Sequence, residues 1–131
     1  MQTTFLLKNG VYPIHVRVIF GDADFIAGVS KKYYKGADIG GLGEHEGFTQ
    51  LVEFRDSHCF EVIVNLQDVA YTCSWYATLA HEAVHVATNI LTRVGVPLSK
   101  DNDEAMAYIV DWFVCATLQR LRALDRKRKH V

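Results

Sequence analysis

Residues 79–91 read LAHEAVHVATNIL, and their spacing decides how the second half of the chain folds. Apolar residues recur at intervals of three and four, which predicts a helix that is buried over most of its surface. His81 and His85, in the segment HEAVH, stand four residues apart and therefore share one face of this helix. Glu82 directly follows the first histidine. Polar groups on such an apolar helix need partners, and a metal ion with its water would satisfy all three together.

Both ends of this helix are marked in the sequence. Ser74 precedes the apolar run, and its hydroxyl can cap the first turn. Gly95 followed by Pro97 is a combination that commonly ends a helix. The sequence therefore predicts a helix over residues 74–94.

A second helix is predicted over residues 102–125. Asp101 or Asn102 can cap its start, and the helix then continues until a basic tail at 126–131. Cations in the last turns of a helix complement its dipole. The simplest interpretation of the tail is therefore a solvated helix end.

Charge is distributed unevenly along the chain. Residues 120–131 carry six Lys or Arg and one Asp, which leaves eight basic and fourteen acidic residues in 1–119. An acidic body suits cation binding and disfavours nucleic acid as a partner on the main surface. We therefore do not expect a nucleic-acid partner, although the basic tail leaves that interaction open.

The first half of the chain has the pattern of β-structure. Asn9-Gly10 lies between two apolar runs, which predicts a hairpin with strands near 3–8 and 11–20. Pro13 lacks a backbone donor, which argues that the second strand begins at a sheet edge. The chain is thus expected to open with a two-stranded unit.

A glycine-rich segment divides this β-region. Five glycines in twelve residues make 36–47 a loop, and residues 21–35 before it are ambiguous. The runs 48–54 and 58–66 after the loop predict a second hairpin. Because residues 1–70 are mainly β and helices follow, the expected fold class is α+β with a small antiparallel or mixed sheet.

Length and cysteine content narrow the class of protein. A chain of 131 residues suits one domain, 1–131, and no apolar run approaches the length needed to cross a bilayer. Cys59, Cys73 and Cys115 are odd in number and widely spaced, so we expect small buried side chains rather than disulfides. These features predict a cytoplasmic protein without membrane contact.

The pattern H-E-x-x-H indicates a zinc site, and the alternative is that His81 and His85 lie on a polar flank of an ordinary core helix while Glu82 faces solvent. In a zinc site of this pattern the two histidines bind Zn²⁺, and the glutamate accepts a proton from the water that attacks the substrate. Two histidines alone are incomplete, because a catalytic zinc normally takes three protein ligands and keeps a fourth position open. Eighteen residues separate His85 from Glu104, which extends the pattern to H-E-A-V-H-x18-E.

This combined motif resembles the gluzincin class of zinc metallopeptidases, whose third ligand is a glutamate on the next helix. The resemblance covers roughly residues 60–115. It implies a zincin-like fold in which His81, His85 and Glu104 bind Zn²⁺ and Glu82 is the general base. The implied activity is hydrolysis of a peptide bond in a polypeptide substrate.

Glu104 also has an interpretation that involves no metal. Asp101-x-x-Glu104 has the spacing of a capping box, in which Glu104 turns back to the backbone amide of Asp101. Asp103 beside it is another candidate ligand. The sequence leaves these alternatives open.

Two further residues follow Glu104 at helical spacing and are candidates for supporting roles. Tyr108 is a candidate catalytic residue whose hydroxyl donates a hydrogen bond to the oxyanion of the tetrahedral intermediate. An equally good interpretation is a tyrosine that packs in a helix interface with its hydroxyl in water. Asp111 is the candidate that orients a ligand histidine. Thermolysin-like members of the class carry that aspartate one turn after the ligand glutamate, where this chain has Tyr108.

Two other segments are candidates for the substrate cleft. Zincin-like enzymes hold substrate along an edge strand upstream of the metal helix, and 58–66 stands in that place. A central strand is the alternative for this segment. His45 in the glycine-rich loop is a candidate for a flap or a second metal, and a solvated loop histidine is its simpler interpretation.

The helix-to-helix pattern, including Glu-Ala-x-Ala-Tyr after HEAVH, is also similar to small metallopeptidases encoded by bacteriophages and other mobile elements. Some of those enzymes cleave repressors, so the likeness implies a bacterial host cytoplasm and a regulatory substrate. The competing hypothesis is a catalytically inactive zincin-fold protein that binds zinc and a protein partner. Small size supports that hypothesis, and the intact Glu82 argues against it.

Overall fold

The computed structural model describes residues 1–34, 47–54 and 59–130. Within these ranges it contains three α-helices and four strands, which form one mixed sheet. The predicted α+β class with a small mixed sheet is confirmed. The predicted glycine-rich loop lies outside the described residues except for Gly47.

The sheet has the order β1-β2-β4-β3. Strand β2 pairs antiparallel with β1 and parallel with β4, and β3 pairs antiparallel with β4. The predicted second hairpin is therefore confirmed as β3 and β4. The four strands are β1 (Thr3–Leu7), β2 (His15–Phe20), β3 (Gly47–Phe54) and β4 (Cys59–Leu66).

The connection between β1 and β2 is longer than the predicted two-residue turn. The side-chain oxygen of Asn9 accepts hydrogen bonds from the backbone amides of Val11, at 2.8 Å, and Tyr12, at 3.2 Å. An asparagine that bonds forward in this way opens a loop, because those amides can no longer serve a strand ladder. The second strand accordingly begins at His15, and it lies inside the sheet rather than at an edge.

Strand β4 is central, so the structure decides between the two interpretations of 58–66 in favour of the central strand. It has a paired neighbour on each side, and Val62, Ile63 and Val64 are all fully buried. Three consecutive buried apolar residues require protein on both faces of the sheet, as is usual for strands in parallel pairs. The edge strand beside β4 is β3.

The helices begin at short polar caps. The previously ambiguous stretch contains α1, which is capped by a hydrogen bond at 2.8 Å from the amide of Phe25 to Asp22. The cap of α2 is Thr72 rather than Ser74, because the Thr72 hydroxyl accepts from the amide of Trp75 at 3.1 Å. The three helices are α1 (Ala23–Tyr33), α2 (Cys73–Arg93) and α3 (Asp103–Lys129).

Helix α3 is longer than predicted. A 3-10 turn at Lys100–Asn102 leads into it, and Asn102 occupies the N-cap position without a side-chain capping bond. The helix continues through the basic residues to Lys129, so most of the predicted tail is its last turn. Lys and Arg are good helix formers, and their charges complement the carbonyl end of the helix dipole.

The sheet is covered on both faces. One face packs in a single cluster with α2 and α3, and the other packs against α1. Alternation along β4 explains the division, since Val62 and Val64 join the first cluster and Ile63 joins the second. No helix in the described part of the chain is both long enough and apolar enough to span a membrane.

A polar contact joins the end of α1 to the sheet. The hydroxyl of Tyr34, which follows α1, donates to Oε1 of Glu61 on β4 at 2.7 Å. The guanidinium of Arg17 lies 4.2 Å from the ring centroid of Tyr33. Burial, and then the bond to Glu61, raise the pKa of Tyr34 above its ordinary value. The tyrosine hydroxyl therefore stays protonated and continues to donate.

A second tyrosine joins the start of α2 to the end of α3. The hydroxyl of Tyr71 donates to Oδ2 of Asp125 at 2.7 Å. Its backbone has a φ of 53°, a left-handed conformation that is uncommon outside glycine. Partial burial and the bond to Asp125 raise the pKa of Tyr71 to about 12.

The packing of α2 predicts a large difference between Leu79→Ala and Val84→Ala. Leu79 is 1% exposed in the core, whereas Val84 is 45% exposed on the opposite side of the same helix. We expect Leu79→Ala to lower the free energy of unfolding by about 2–5 kcal/mol, because it leaves a cavity. Val84→Ala should change it by less than about 0.5 kcal/mol. Urea titration monitored by circular dichroism measures both, and equal losses would contradict the placement of α2.

The bond between Tyr71 and Asp125 predicts a pH dependence of stability. Because the folded-state pKa of Tyr71 is raised to about 12, the unfolded chain loses this proton first as the pH rises above the ordinary tyrosine value of about 10. The contribution to stability is therefore complete below pH 10 and is lost between about pH 10 and 12. Tyr71→Phe should remove this pH dependence, so the difference in melting temperature between wild type and the variant should change as the pH rises from about 10 to about 12. A difference that stays constant over this pH range would contradict the prediction.

Candidate metal centre

The two histidines of HEAVH form a pair with the span of a zinc chelate. Their Nε2 atoms lie 3.2 Å apart. Two nitrogens at the usual zinc distance of about 2.0–2.1 Å and with this separation subtend about 103° at the metal, close to the tetrahedral angle. The same separation also suits a hydrogen bond between the two rings. The donors present on α2 therefore fit two of the ligand positions of a zinc ion.

Helical periodicity explains why this pair faces solvent. The buried side of α2 includes Leu79, Ala83 and Ile90, which pack towards the sheet and α3. His81 and His85 lie on the opposite, exposed side. Both imidazoles are thus open to a metal ion and to a substrate.

Glu82 has a different environment from its neighbouring histidine. It is only 4% exposed, and its Oε2 accepts a hydrogen bond from the hydroxyl of Thr49 on β3. A Cβ atom placed on Gly47 would lie 2.8 Å from Cγ of Glu82 and 2.9 Å from its Oε1. The edge strand can therefore approach the carboxylate this closely because Gly47 has no side chain.

Thr49 and Gly47 were not identified from the sequence. Register places Thr49 opposite Val64, so both side chains point to the face of the sheet that α2 covers. Alternation of apolar and polar residues along FTQLVEF predicts that Thr49 and Leu51 point to the same face of the sheet. The alternation does not predict that Thr49 contacts Glu82, because the position of a helix relative to a particular strand depends on tertiary packing.

Glu104 lies in the first turn of α3, where its side chain is exposed. The capping-box interpretation was wrong, because the helix begins one residue later than that pattern requires and its N-cap Asn102 makes no side-chain capping bond. In the ranges that the structure describes, no three His, Cys, Asp or Glu side chains are grouped so that they could hold a metal ion. The structure thus brings His81 and His85 together without Glu104 or Asp103, and a third ligand stays a prediction.

The residues that follow Glu104 at helical spacing are also on the outside of α3. Tyr108 is 70% exposed, and Asp111 is exposed as well. Ile109 and Phe113 form the buried side of the same helix. No hydrogen bond within the described residues joins Tyr108 or Asp111 to the histidine pair, so their catalytic and orienting roles stay predictions.

Two cysteines are more exposed than expected. Cys73 and Cys115 are free and exposed, so the expectation of buried side chains was wrong for both. Cys73 is the first residue of α2, and Cys115 shares the outer face of α3 with Asp111. His45 falls in the stretch 35–46, outside the described residues.

Comparisons with protein families, with curated proteins and with solved structures gave no match to this chain. The resemblance to gluzincins accordingly depends on the sequence motif. The two observations that bear on a site here are the spacing of the histidine pair and the burial of Glu82 against the edge strand.

The contact between Thr49 and Glu82 predicts different effects for two substitutions of Thr49. Thr49→Val keeps the shape of the side chain but leaves a buried carboxylate oxygen without its donor, so we expect a loss of about 1–3 kcal/mol in the free energy of unfolding. Thr49→Ser retains the hydroxyl and serves as the matched control, with a smaller loss. Denaturant titration of both variants in the wild-type and Glu82→Gln backgrounds measures the coupling. Additive effects of Thr49→Val and Glu82→Gln would rule out an energetic contact between these residues.

Proposed function

We propose that the protein is a zinc-dependent peptidase of zincin-like fold that hydrolyses a peptide bond in a polypeptide substrate. The observation that carries the proposal is the 3.2 Å separation of the Nε2 atoms of His81 and His85, with Glu82 between them in sequence. A zinc chelate would use both the exposure of the two rings and the separation of their nitrogens, which supports the proposal.

Each residue has a distinct role in the proposal. His81 and His85 hold the metal through Nε2, and Glu104 supplies the third ligand. A bound zinc ion polarises the substrate carbonyl and makes water a better nucleophile at neutral pH. Glu82 accepts the proton of the attacking water and delivers it to the leaving amine. Tyr108 donates to the oxyanion, and Asp111 orients a ligand ring.

Recruitment of Glu104 requires its exposed carboxylate to approach the histidine pair. Glu104 has no hydrogen bond or ion pair within the described residues, so this movement breaks no existing polar contact. The preceding residues 94–102 contain only a short 3-10 turn, which gives the connection more freedom than a continuous helix would have. Metal binding and the placement of Glu104 are therefore coupled in this proposal.

Thr49 gives Glu82 a fixed orientation. The hydroxyl occupies Oε2 of this carboxylate, so proton transfer in this proposal falls to Oε1. Because β3 is the edge strand and carries Thr49, a substrate that runs beside this edge would pass next to Glu82. A bacterial or phage source, a cytoplasmic location and a regulatory substrate belong to the same proposal and derive from the sequence resemblance.

A second candidate function is zinc-dependent binding of a protein partner without hydrolysis. The burial of Glu82 favours it, because a general base at 4% exposure and bonded to Thr49 has little access to water. A partner's carboxylate would then complete the coordination of the ion.

Zinc stoichiometry and peptide hydrolysis, measured on the same variants, distinguish these functions. We expect wild type to bind about one zinc ion per chain, and His85→Ala and Glu104→Ala to lose it, because a catalytic site needs three protein ligands. Glu82→Gln should keep the metal and lose hydrolysis, since the amide cannot accept the proton. His130→Ala, which removes an exposed histidine at the end of α3, is the matched control and should retain both properties.

Normal zinc content in Glu104→Ala would remove Glu104 from the ligand set. Zinc binding by wild type without hydrolysis of any unfolded polypeptide would favour the binding function. Hydrolysis by Glu82→Gln at the wild-type rate would contradict the assignment of the general base. A wild-type chain that binds no zinc would reject both candidate functions.

A further inference from the structure

Exposed aromatic rings and unpaired cations occur together where α2 begins and α3 ends. We call this surface the tyrosine-cation face and define it as Tyr71, Tyr76, Arg122, Arg126 and Lys129. None of these residues has a role in the proposed peptidase.

The three cations lie on one side of α3. They are spaced by four and three residues, and together with Gln119 and Asp125 they line one open concavity of about 650 Å³. The only ion pair within the described residues joins the N-terminal amine to Asp68, so none of the three cations is neutralised there by a carboxylate. Asp125, the acidic residue of the concavity, is already bonded to Tyr71. With three cations and one carboxylate, the concavity carries a net positive charge.

The two tyrosines present aromatic surface beside these cations. Tyr71 is 40% exposed and Tyr76 is 44% exposed, and their ring centroids lie 6.2 Å apart. Both rings pack against Trp75, whose own centroid is 5.3 Å from Tyr71 and 5.2 Å from Tyr76. Tyr71 keeps its left-handed backbone conformation, which is disfavoured for a tyrosine unless the surroundings hold it in place. The rings are thus fixed in position and accessible from solvent.

One hydrogen bond connects the rings with the side of α3 that carries the cations. The hydroxyl of Tyr71 bonds to Asp125, which stands between Arg122 and Arg126 in the chain. The charge of Arg122 also acts on Tyr71, where it opposes the rise in the pKa. A ligand on the concavity is therefore within reach of the tyrosine rings.

We propose that the tyrosine-cation face binds single-stranded nucleic acid, with phosphates on the three cations and unpaired bases stacked on the two tyrosines. Proteins that bind single strands combine these two elements, a positive groove along the backbone and aromatic side chains under the bases. The rest of the chain has an excess of acidic residues, with eight basic and fourteen acidic residues in 1–119. Repulsion from that surface confines the strand to this end of the molecule.

Other polyanions fit this face less well. A duplex keeps its bases stacked on each other, so it would use the cations and leave the tyrosines without partners. An amphipathic helix that lies in a membrane surface needs apolar side chains that enter the bilayer as well as cations. The apolar residues of α3, including Phe113 and Leu121, are instead buried in the core.

Fluorescence anisotropy with a labelled oligothymidylate of roughly 12 nucleotides tests the proposal on the full chain. For three neutralised phosphates we expect the logarithm of the affinity to fall with the logarithm of the salt concentration with a slope of about −2. The combined variant Arg122→Gln, Arg126→Gln and Lys129→Gln should reduce this slope to near zero. Lys31→Gln with Lys32→Gln, which removes exposed cations from α1 on the other side of the sheet, is the matched control and should keep the wild-type slope.

The aromatic part is tested separately. Tyr76→Ala should weaken binding by about fivefold or more, whereas Tyr76→Phe should retain it, because stacking requires the ring and not the hydroxyl. Equal affinity for a duplex of the same length, or no loss in Tyr76→Ala, would overturn the proposed stacking. Binding to vesicles that contain anionic lipid but not to the oligonucleotide would overturn the choice of ligand. An equal loss in the α1 control would show that the attraction is not specific to this face.

Discussion

The hydrogen bond between Thr49 and Glu82 is the contact on which the arrangement of the candidate site depends. A carboxylate buried under a helix is costly unless a donor satisfies it, and the donor here belongs to the edge strand of the sheet. The bond acts together with the apolar side of α2, which includes Leu79, Ala83 and Ile90. Helical geometry leaves His81 and His85 on the side of α2 away from those apolar residues. The exposure of the histidine pair therefore follows from the burial of the apolar side, and Glu82 lies on the flank between the two sides.

Local pattern predicted those parts of the fold that local interactions determine. The apolar spacing around HEAVH gave the α2 helix, and alternation gave the hairpin of β3 and β4. The antiparallel pairing of the first two strands was predicted correctly, whereas the start of the second strand was placed too early. The Asn9 side chain bonds forward to two amides, which the dipeptide Asn9-Gly10 does not reveal. The sequence did not decide the central position of β4, because a continuous apolar segment is compatible with a central strand but does not identify the strands that pair with it. In the site, the histidine pair followed from helical periodicity, whereas Thr49 and Gly47 depend on contacts between distant segments.

Two regions on helices α2 and α3 have different chemical characters. Near the middle of α2, imidazole nitrogens stand close enough to share a cation, and the adjacent carboxylate is held by the sheet. Where α2 begins and α3 ends, guanidinium and ammonium groups without carboxylate partners stand beside tyrosine rings. Helix α2 carries both the histidine pair and Tyr76, so one helix contributes to both places. The two proposals assign a cation to the first place and an anion to the second.

The parallel pairing of β2 with β4 has a consequence for how the chain folds as it is synthesised. His15 pairs with Glu61, so the central ladder cannot form until α1, residues 35–46 and β3 have all been synthesised. The apolar face of that ladder, including Val16, Val18 and Val64, is covered only by the helices that emerge last. A ribosome-bound nascent chain that ends before α2 therefore exposes the apolar surface of these strands. Partly folded chains with such a surface aggregate or bind chaperones.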